Sequence, residues 1–342
     1  MQSLRNKRSI LMCTSIILHQ RGGYFGRNLD LEYSFGEQIV ITPRRFPLKF
    51  HRLSPLENHF AMIGMANVTD HYPLYAEAVN EKGLYMAGLN FPGNAHYETD
   101  VPDDFYAVTP WELIPWVLGT CENLAQAREK LSRFRPLAIP FSSFRPEPVT
   151  LPLAPLHWHL ADRTGALVLE TTQNGISIYD DPVGVLTNNP PFPFHQLNLC
   201  HYQGLSSQTV QNRLAPGLLL KKSSQGMGAI GLPGDSSSVS RYVKAAFHKL
   251  NSTVCGDEIS QITQFFHLLD AVSMIRGSVI TEEGRSGITT YSCCISAEKR
   301  IYYYKTYENS RIRAARMDTE NPDAKELIYF PLHPDQDIRF LN

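Results

Sequence analysis

The sequence predicts an α+β fold in which antiparallel sheets are covered by outer helices, and three observations carry that prediction. Short apolar, partly β-branched runs bounded by turn residues crowd the first third of the chain and its end. Helical spacing falls in separate blocks instead of alternating one for one with strands, the pattern of segregated elements. No linker with a shift in composition divides the 342 residues, so a single domain is expected over 13–342.

Taken in order, CTSIIL at 13–18, QIVITP at 38–43 and FAMIGMA at 60–66 are strands. NEKGLYMAGLNFPG at 80–93 reads as turn, buried strand, turn. Leu113, Trp116, Val117, Leu124, Ala127 and Leu131 fall at helical spacing, as two helices broken near Gly119. Proline-rich SFRPEPVTLPLAP at 143–155 is loop. Strands return in LHWHLAD at 156–162, ALVLETT at 166–172, ISIYDD at 176–181 and VGVLTNNP at 183–190. SRYVKAAFHKL at 240–250 and ISQITQFFHLLDAVSMI at 259–275 are amphipathic helices. ITTYSCCISAEKRIYYYKTYEN at 288–309 reads as a hairpin turning at Ala297–Lys299.

Composition excludes several classes. Lys+Arg 32 against Asp+Glu 33 leaves a formal charge of -1, with no basic excess to neutralise the phosphates of a nucleic acid. Six cysteines in so long a chain make no disulfide framework, and the adjacent Cys293 and Cys294 are poorly placed to bridge, so a reduced, cytoplasmic setting is expected. No apolar stretch approaches the ~20 residues of a membrane span, so no membrane insertion is expected. Arg5, Lys7 and Arg8 precede SILMCTSIIL in the manner of a signal peptide. However, the apolar segment before Cys13 is only Ile10 to Met12, short of the usual ~7–15 residues.

Some motifs are decoys. GMGAIG at 226–231 fits a dinucleotide glycine pattern, but KKSSQ precedes it in place of a strand and Leu232–Pro233–Gly234 follows in place of a helix. His157 and His159 share a strand face with no third metal ligand nearby and are expected as ordinary histidines. Asn67 and Asn251 open glycosylation sequons that have no meaning in a reduced compartment.

Cys13 is different. If Met12 and everything before it are removed, the cysteine carries a free α-amine, which titrates near ~7.7–8.0, close to the ~8.5 of a thiol. Such an amine acts as general base for its own side chain, and the two groups are positioned at little entropic cost. Left inside the chain, Cys13 is only a small buried hydrophobe on a strand. Two registers of the hairpin that follows are open. Pairing His19 with Tyr24 puts Asp30 opposite Cys13, whereas a three-residue turn puts Arg27 on the Cys13 face and Asp30 off it, unless a bulge at Gly26 brings both in. A cation there favours thiolate, and a carboxylate there can hold an ammonium.

MCTSI with FGRNLD (25–30), NEKGLYMAGLNFPG, PLHWHLAD (155–162), VGVLTNNPPFPFH (183–195), GLPGDSSSVSR (231–241) and IYYYKTYEN (301–309) together resemble the choloylglycine hydrolase family of bile salt hydrolases and penicillin V acylases. The resemblance runs from Met12 nearly to the end. It implies the N-terminal-nucleophile fold, a four-layer αββα sandwich of two antiparallel sheets with outer helices. It makes Cys13 the nucleophile, Arg27 the arginine beside the thiol, and Asp30 the carboxylate partnering the α-amine. Asn90 becomes the residue meeting the scissile carbonyl and the substrate's polar end. Asn188 becomes the oxyanion-hole amide, and Arg241 the distal arginine of the charge network. Cys13, Arg27 and Asn90 are the substrate-binding positions among these.

Relatives begin at the methionine before the cysteine or carry a signal peptide. The resemblance therefore implies that residues 1–12 are untranslated or cut off. The implied enzyme is a homotetramer, without metal or organic cofactor, that hydrolyses bile acids conjugated to glycine or taurine. Asn90, where penicillin-preferring relatives tend to carry tyrosine, favours that substrate. The alternatives are a penicillin V or N-acyl-homoserine-lactone acylase, and an unprocessed, inactive relative that only binds steroids.

Overall fold

The computed structural model describes residues 12–19, 22–142, 150–253 and 256–342. Residues 1–11, 20–21, 143–149 and 254–255 lie outside the described residues, and with them the expected leader up to Leu11, two positions of the expected first turn, much of the expected proline-rich loop and Cys255. In chain order the strands are β1 (Met12–Leu18), β2 (Tyr24–Leu31), β3 (Gln38–Thr42), β4 (Met62–Thr69), β5 (Tyr72–Asn80), β6 (Tyr85–Asn90), β7 (Tyr106–Val108) and β8 (Phe134–Pro136). They continue with β9 (Leu156–Asp162), β10 (Gly165–Thr172), β11 (Gly175–Asp180), β12 (Val185–Leu186), β13 (Ile288–Ser296), β14 (Ile301–Thr306), β15 (Arg313–Arg316) and β16 (Ile328–Pro331). The helices are α1 (Leu113–Thr120), α2 (Leu124–Ser132), α3 (Phe192–Leu199), α4 (Ser238–Asn251) and α5 (Glu258–Asp270).

One sheet runs β12-β1-β2-β13-β14-β15 and the other β11-β10-β9-β6-β5-β4-β3-β16. Every pairing within them is antiparallel. Two buried clusters define the layers. In one, Ile17, Phe25 and Ile295 of the smaller sheet meet Ile63, Val79 and Ala87 of the larger, and Tyr242 of α4 and Phe265 of α5 join from outside. In the other, Met62, Ala78, Met86 and Trp158 on the far face of the larger sheet pack on Leu113, Val117 and Leu131 of α1 and α2. The order is helix, sheet, sheet, helix. Strands covered on both faces read as continuous apolar runs even in antiparallel sheets, which is why β1 and β6 are buried almost residue for residue.

The expected helix break comes just after Gly119: α1 ends at Thr120 and Asn123 caps α2 by accepting from the Gln126 N–H. The second long helix stops at Asp270, five residues before its expected end. Six elements, β5, β7, β8, α3, β15 and β16, go beyond the sequence reading. Pro73 and the charged Glu77 hide β5, three nearby prolines hide α3, and polar residues around β15 hide an edge strand. GMGAIG lies in an exposed glycine-rich loop. No described helix is long and apolar enough to cross a membrane.

Candidate active site

Residue 13 sits at the start of β1, buried between the sheets. The β1–β2 register pairs Cys13 with Leu29 and Ser15 with Arg27, so Arg27 shares the face of the thiol, as the three-residue-turn alternative requires. Pairing of Cys13 with Asp30 is thereby corrected: Asp30 lies opposite Met12. A bulge at Gly26 is also corrected, because β1–β2 pairing runs unshifted through Ile16 and Gly26. The irregularity falls instead between β2 and β13, at Thr289/Tyr291. There the Thr289 hydroxyl donates to Asp30 Oδ1 at 2.6 Å. Gly26 is fixed by space: a Cβ there would lie 2.0 Å from the Cys293 carbonyl oxygen and 2.9 Å from the Phe265 ring. Glycine lets β2 press against β13 and α5, and so holds Arg27 in place.

Arg27 Nη2 donates to the Cys13 sulfur. Its Nη1 donates to the Gly88 carbonyl at 2.5 Å and the Ala76 carbonyl at 3.3 Å, and lies 3.7 Å from Glu77 Oε2. On the other side of residue 13, its backbone N–H donates to Asn188 Oδ1 at 2.9 Å. Asn188 Nδ2 donates to the Asn90 carbonyl at 2.8 Å, and the Asn90 N–H reaches the sulfur. Arg241 Nη2 donates to Asn188 Oδ1 at 2.7 Å, while Nη1 donates to the Cys13 carbonyl and the Thr14 hydroxyl. Arg27, Asn90, Asn188 and Arg241 thus touch residue 13 directly, and Asp30 acts on it through its charge.

The supports are local. Asn188 follows β12, and the Ser238 hydroxyl accepts its N–H at 2.9 Å. His195 of α3 donates from Nε2 to the Asn188 carbonyl at 2.9 Å, and burial holds this imidazole down at about 4, in its neutral form. GDSSSVSR is a helix start. Ser237 caps α4, and Asp235 accepts from the Ser237 N–H and the Ser240 hydroxyl. Hydrogen bonds from the Ser237 hydroxyl first, then from Ser240 and the Ser237 N–H, lower its carboxyl to about 2. That cap places Arg241 in the first turn, pointed at residue 13.

Electrostatically the site is poised. Burial pushes the Cys13 thiol up, and Arg27 opposes it most strongly. Burial likewise raises Asp30 to about 6 against the pull of Arg241. Asp30 Oδ2 is buried with no hydrogen-bond partner among the described residues.

Residues that sequence reasoning missed surround this core. Glu77 backs Arg27. His157 bridges Glu170 (3.3 Å) and the Thr187 carbonyl (3.0 Å), steadying the residue before Asn188. His159 bridges the Ser15 hydroxyl (2.9 Å) and Asp181 (3.0 Å), and Asp181 accepts the N–H groups of Val183, Gly184 and Val185 leading into β12. Both histidines were visible in the sequence, but their carboxylate partners are distant in the chain. Among the described residues no group of three or more His, Cys, Asp or Glu side chains could hold a metal ion.

Residues 13–330 match the family model of linear amide C–N hydrolases, choloylglycine hydrolase family, a match that begins at the cysteine itself. The chain belongs to the choloylglycine hydrolase family. It is a hydrolase of linear amide C–N bonds. It is 43% identical to a bile salt hydrolase/transferase of Lactiplantibacillus plantarum, over 97% of this chain and 100% of the relative. It is 36% identical to a bile salt hydrolase/transferase of Clostridium perfringens, at the same coverage. The solved structure of a cysteine-to-alanine variant of the conjugated bile acid hydrolase from Clostridium perfringens superposes with a TM-score of 0.87 at 35% identity, covering 96% of this chain and 100% of that one. A penicillin V acylase from Agrobacterium tumefaciens shares the choloylglycine hydrolase fold, with a TM-score of 0.72 at 15% identity over 94% and 92% of the chains.

Proposed function

We propose that this choloylglycine hydrolase cleaves the amide bond of bile acids conjugated to glycine or taurine, with Cys13 as an N-terminal nucleophile. The observation that carries the reading is the surroundings of residue 13, whose sulfur meets Arg27 and whose nitrogen meets Asn188. The substrate follows from end-to-end similarity to relatives named for bile salts.

The active form lacks residues 1–12. An ammonium at Cys13 would give the unpartnered, buried Asp30 Oδ2 a charged donor and would place a cation next to a thiol that burial otherwise holds up. Met12 also walls a cavity of about 100 Å³ with Asp30, Leu31, Met274 and Ile280. That is small beside the ~300–1,000 Å³ of drug-sized ligand sites, and losing Met12 enlarges it where the α-amine would stand. The same point argues against an unprocessed steroid binder.

In the reaction the α-amine takes the thiol proton and the thiolate attacks the scissile carbonyl carbon. Donors from Asn188 Nδ2 and the Asn90 N–H receive the oxyanion as it forms. Collapse breaks the C–N bond, and the α-ammonium protonates the departing glycine or taurine. Water, giving its proton to the α-amine, then hydrolyses the thioester and restores the thiolate. Asp30 holds the ammonium, and Arg241 fixes Asn188.

The enzyme works in the cytoplasm as a homotetramer. The exposed leucines of the long loop before α4, Leu214 at 89% and Leu219 at 84%, support assembly, since soluble monomers seldom display such clusters. Parallel assays on glycocholate, taurocholate and penicillin V test the substrate. Release of glycine or taurine at rates well above penicillin cleavage is expected, and a strong preference for penicillin V overturns the reading.

A further inference from the structure

Beneath the nucleophile lies a carboxylate with no assigned part in the reaction. Glu77, in the middle of β5, is fully buried between the two sheets. It accepts from the Tyr302 hydroxyl at 2.5 Å, the Tyr291 hydroxyl at 2.8 Å and the Cys293 thiol at 3.6 Å, all from the opposite sheet. Its cationic partner is Arg27, at 3.7 Å. A carboxylate with no solvent and no structural turn to cap is costly to bury unless its charge is used.

The geometry points to Glu77 as a positioning residue that shares the Arg27 guanidinium with the Cys13 sulfur and thereby sets how basic, and so how nucleophilic, the thiolate is. The inference rests on the reading of Cys13 as nucleophile. Arg27 is a single cation between two anionic groups, the thiolate through Nη2 and Glu77 beside Nη1. Without Glu77 the whole charge would fall on the sulfur. The thiolate would form more readily but attack less well, because thiolate nucleophilicity falls with its pKa, with a Brønsted slope of about 0.4–0.5. The two tyrosines and Cys293 donate to the carboxylate and so hold it in the charged form that draws on Arg27. The other charged or titratable groups facing this cluster are Asp30 on β2, Tyr85 on β6 and Arg241 on α4. None of them sits on the Glu77 carboxylate. Burial raises the Glu77 carboxyl while Arg27 and the three donors lower it, and the Cys13 charge raises Arg27.

The test is the pH dependence of Cys13 alkylation by iodoacetamide in the active protein, followed by intact mass and compared with kcat and KM. In the parent, alkylation at Cys13 that abolishes hydrolysis confirms the nucleophile independently of Glu77; alkylation without loss of activity removes that foundation. Glu77→Gln keeps the shape and removes the charge. The alkylation midpoint is expected to move down by one pH unit or more, the plateau rate to fall about threefold, and kcat to fall with KM little changed. Tyr302→Phe, which weakens the hold on the Glu77 anion, should move the midpoint the same way by less, and carries the test if the Gln variant does not fold. A midpoint at or above the parent value in the variant that folds overturns the proposal, because a purely structural carboxylate would leave the thiol's titration alone.

Discussion

The two sides of residue 13 are held by two arginines that are equally buried, at 1% exposure each, and differently used. Arg27 faces the sulfur from between the sheets and has its own carboxylate, Glu77. Neighbouring anionic groups, Cys13 first, raise it against the cost of burial. Arg241 arrives from the outer helix layer and binds neutral oxygens: the Cys13, Thr14, Asn188 and Ser236 acceptors. There burial outweighs Asp30 and Cys13, and the guanidinium is lowered. The contrast shows what each does. Arg27 is a charge whose value lies in its field at the sulfur, and Arg241 is a fork of donors whose value lies in the shape it imposes on Asn188 and the chain at residue 13.

The largest effect removes the atom both sides serve. Cys13→Ser should lose most turnover, by about a thousandfold, with an unchanged melting temperature, because an alcohol ionises far less readily. Near-parent hydrolysis would break the thiolate account on both sides at once. Next comes the contrast itself. Arg27→Met should raise the alkylation midpoint of Cys13 by about one to three pH units, whereas Arg241→Met should move it little and still cost kcat about a hundredfold through a misplaced Asn188. Equal shifts in the two variants would erase the distinction.

A smaller effect separates the two chain lengths. In the full-length protein, burial holds Asp30 at about 6, above the ~3.9 of an unfolded chain. The stability from its bound proton is full below about pH 4 and lost as pH rises through 6. Asp30→Asn should therefore flatten the decline of melting temperature between about pH 4 and 6 and raise stability at pH 7 by several degrees. In protein beginning at Cys13, the same change should abolish hydrolysis instead. The smallest effect is remote: Leu219→Asp should shrink the assembly in light scattering while leaving the fold intact.

Much of this was legible in the sequence because the strands are short, apolar and bounded by turns. The Cys13 hairpin, the β13–β14 hairpin and the body of α4 could all be placed, while the Ser237 cap that starts α4 could not. Glu77 could not, because a lone carboxylate in YPLYAEAV breaks the strand pattern for a reason that lies on the opposite sheet. The register of Arg27 and Asp30 stayed open because the sequence does not state the turn length that sets it, and the irregularity beside Asp30 belongs to the β2–β13 pairing, about 260 residues away in sequence. The individual roles of Asn90, Asn188 and Arg241 came from family resemblance, since an asparagine before a proline and an arginine at a helix start are ordinary on their own.

The central claim is that the nitrogen of Cys13 is free. Intact mass and N-terminal sequencing of hydrolytically active protein from its own cell measure that directly. The account predicts a chain beginning at Cys13. Full activity in protein that still carries Met12 would contradict it.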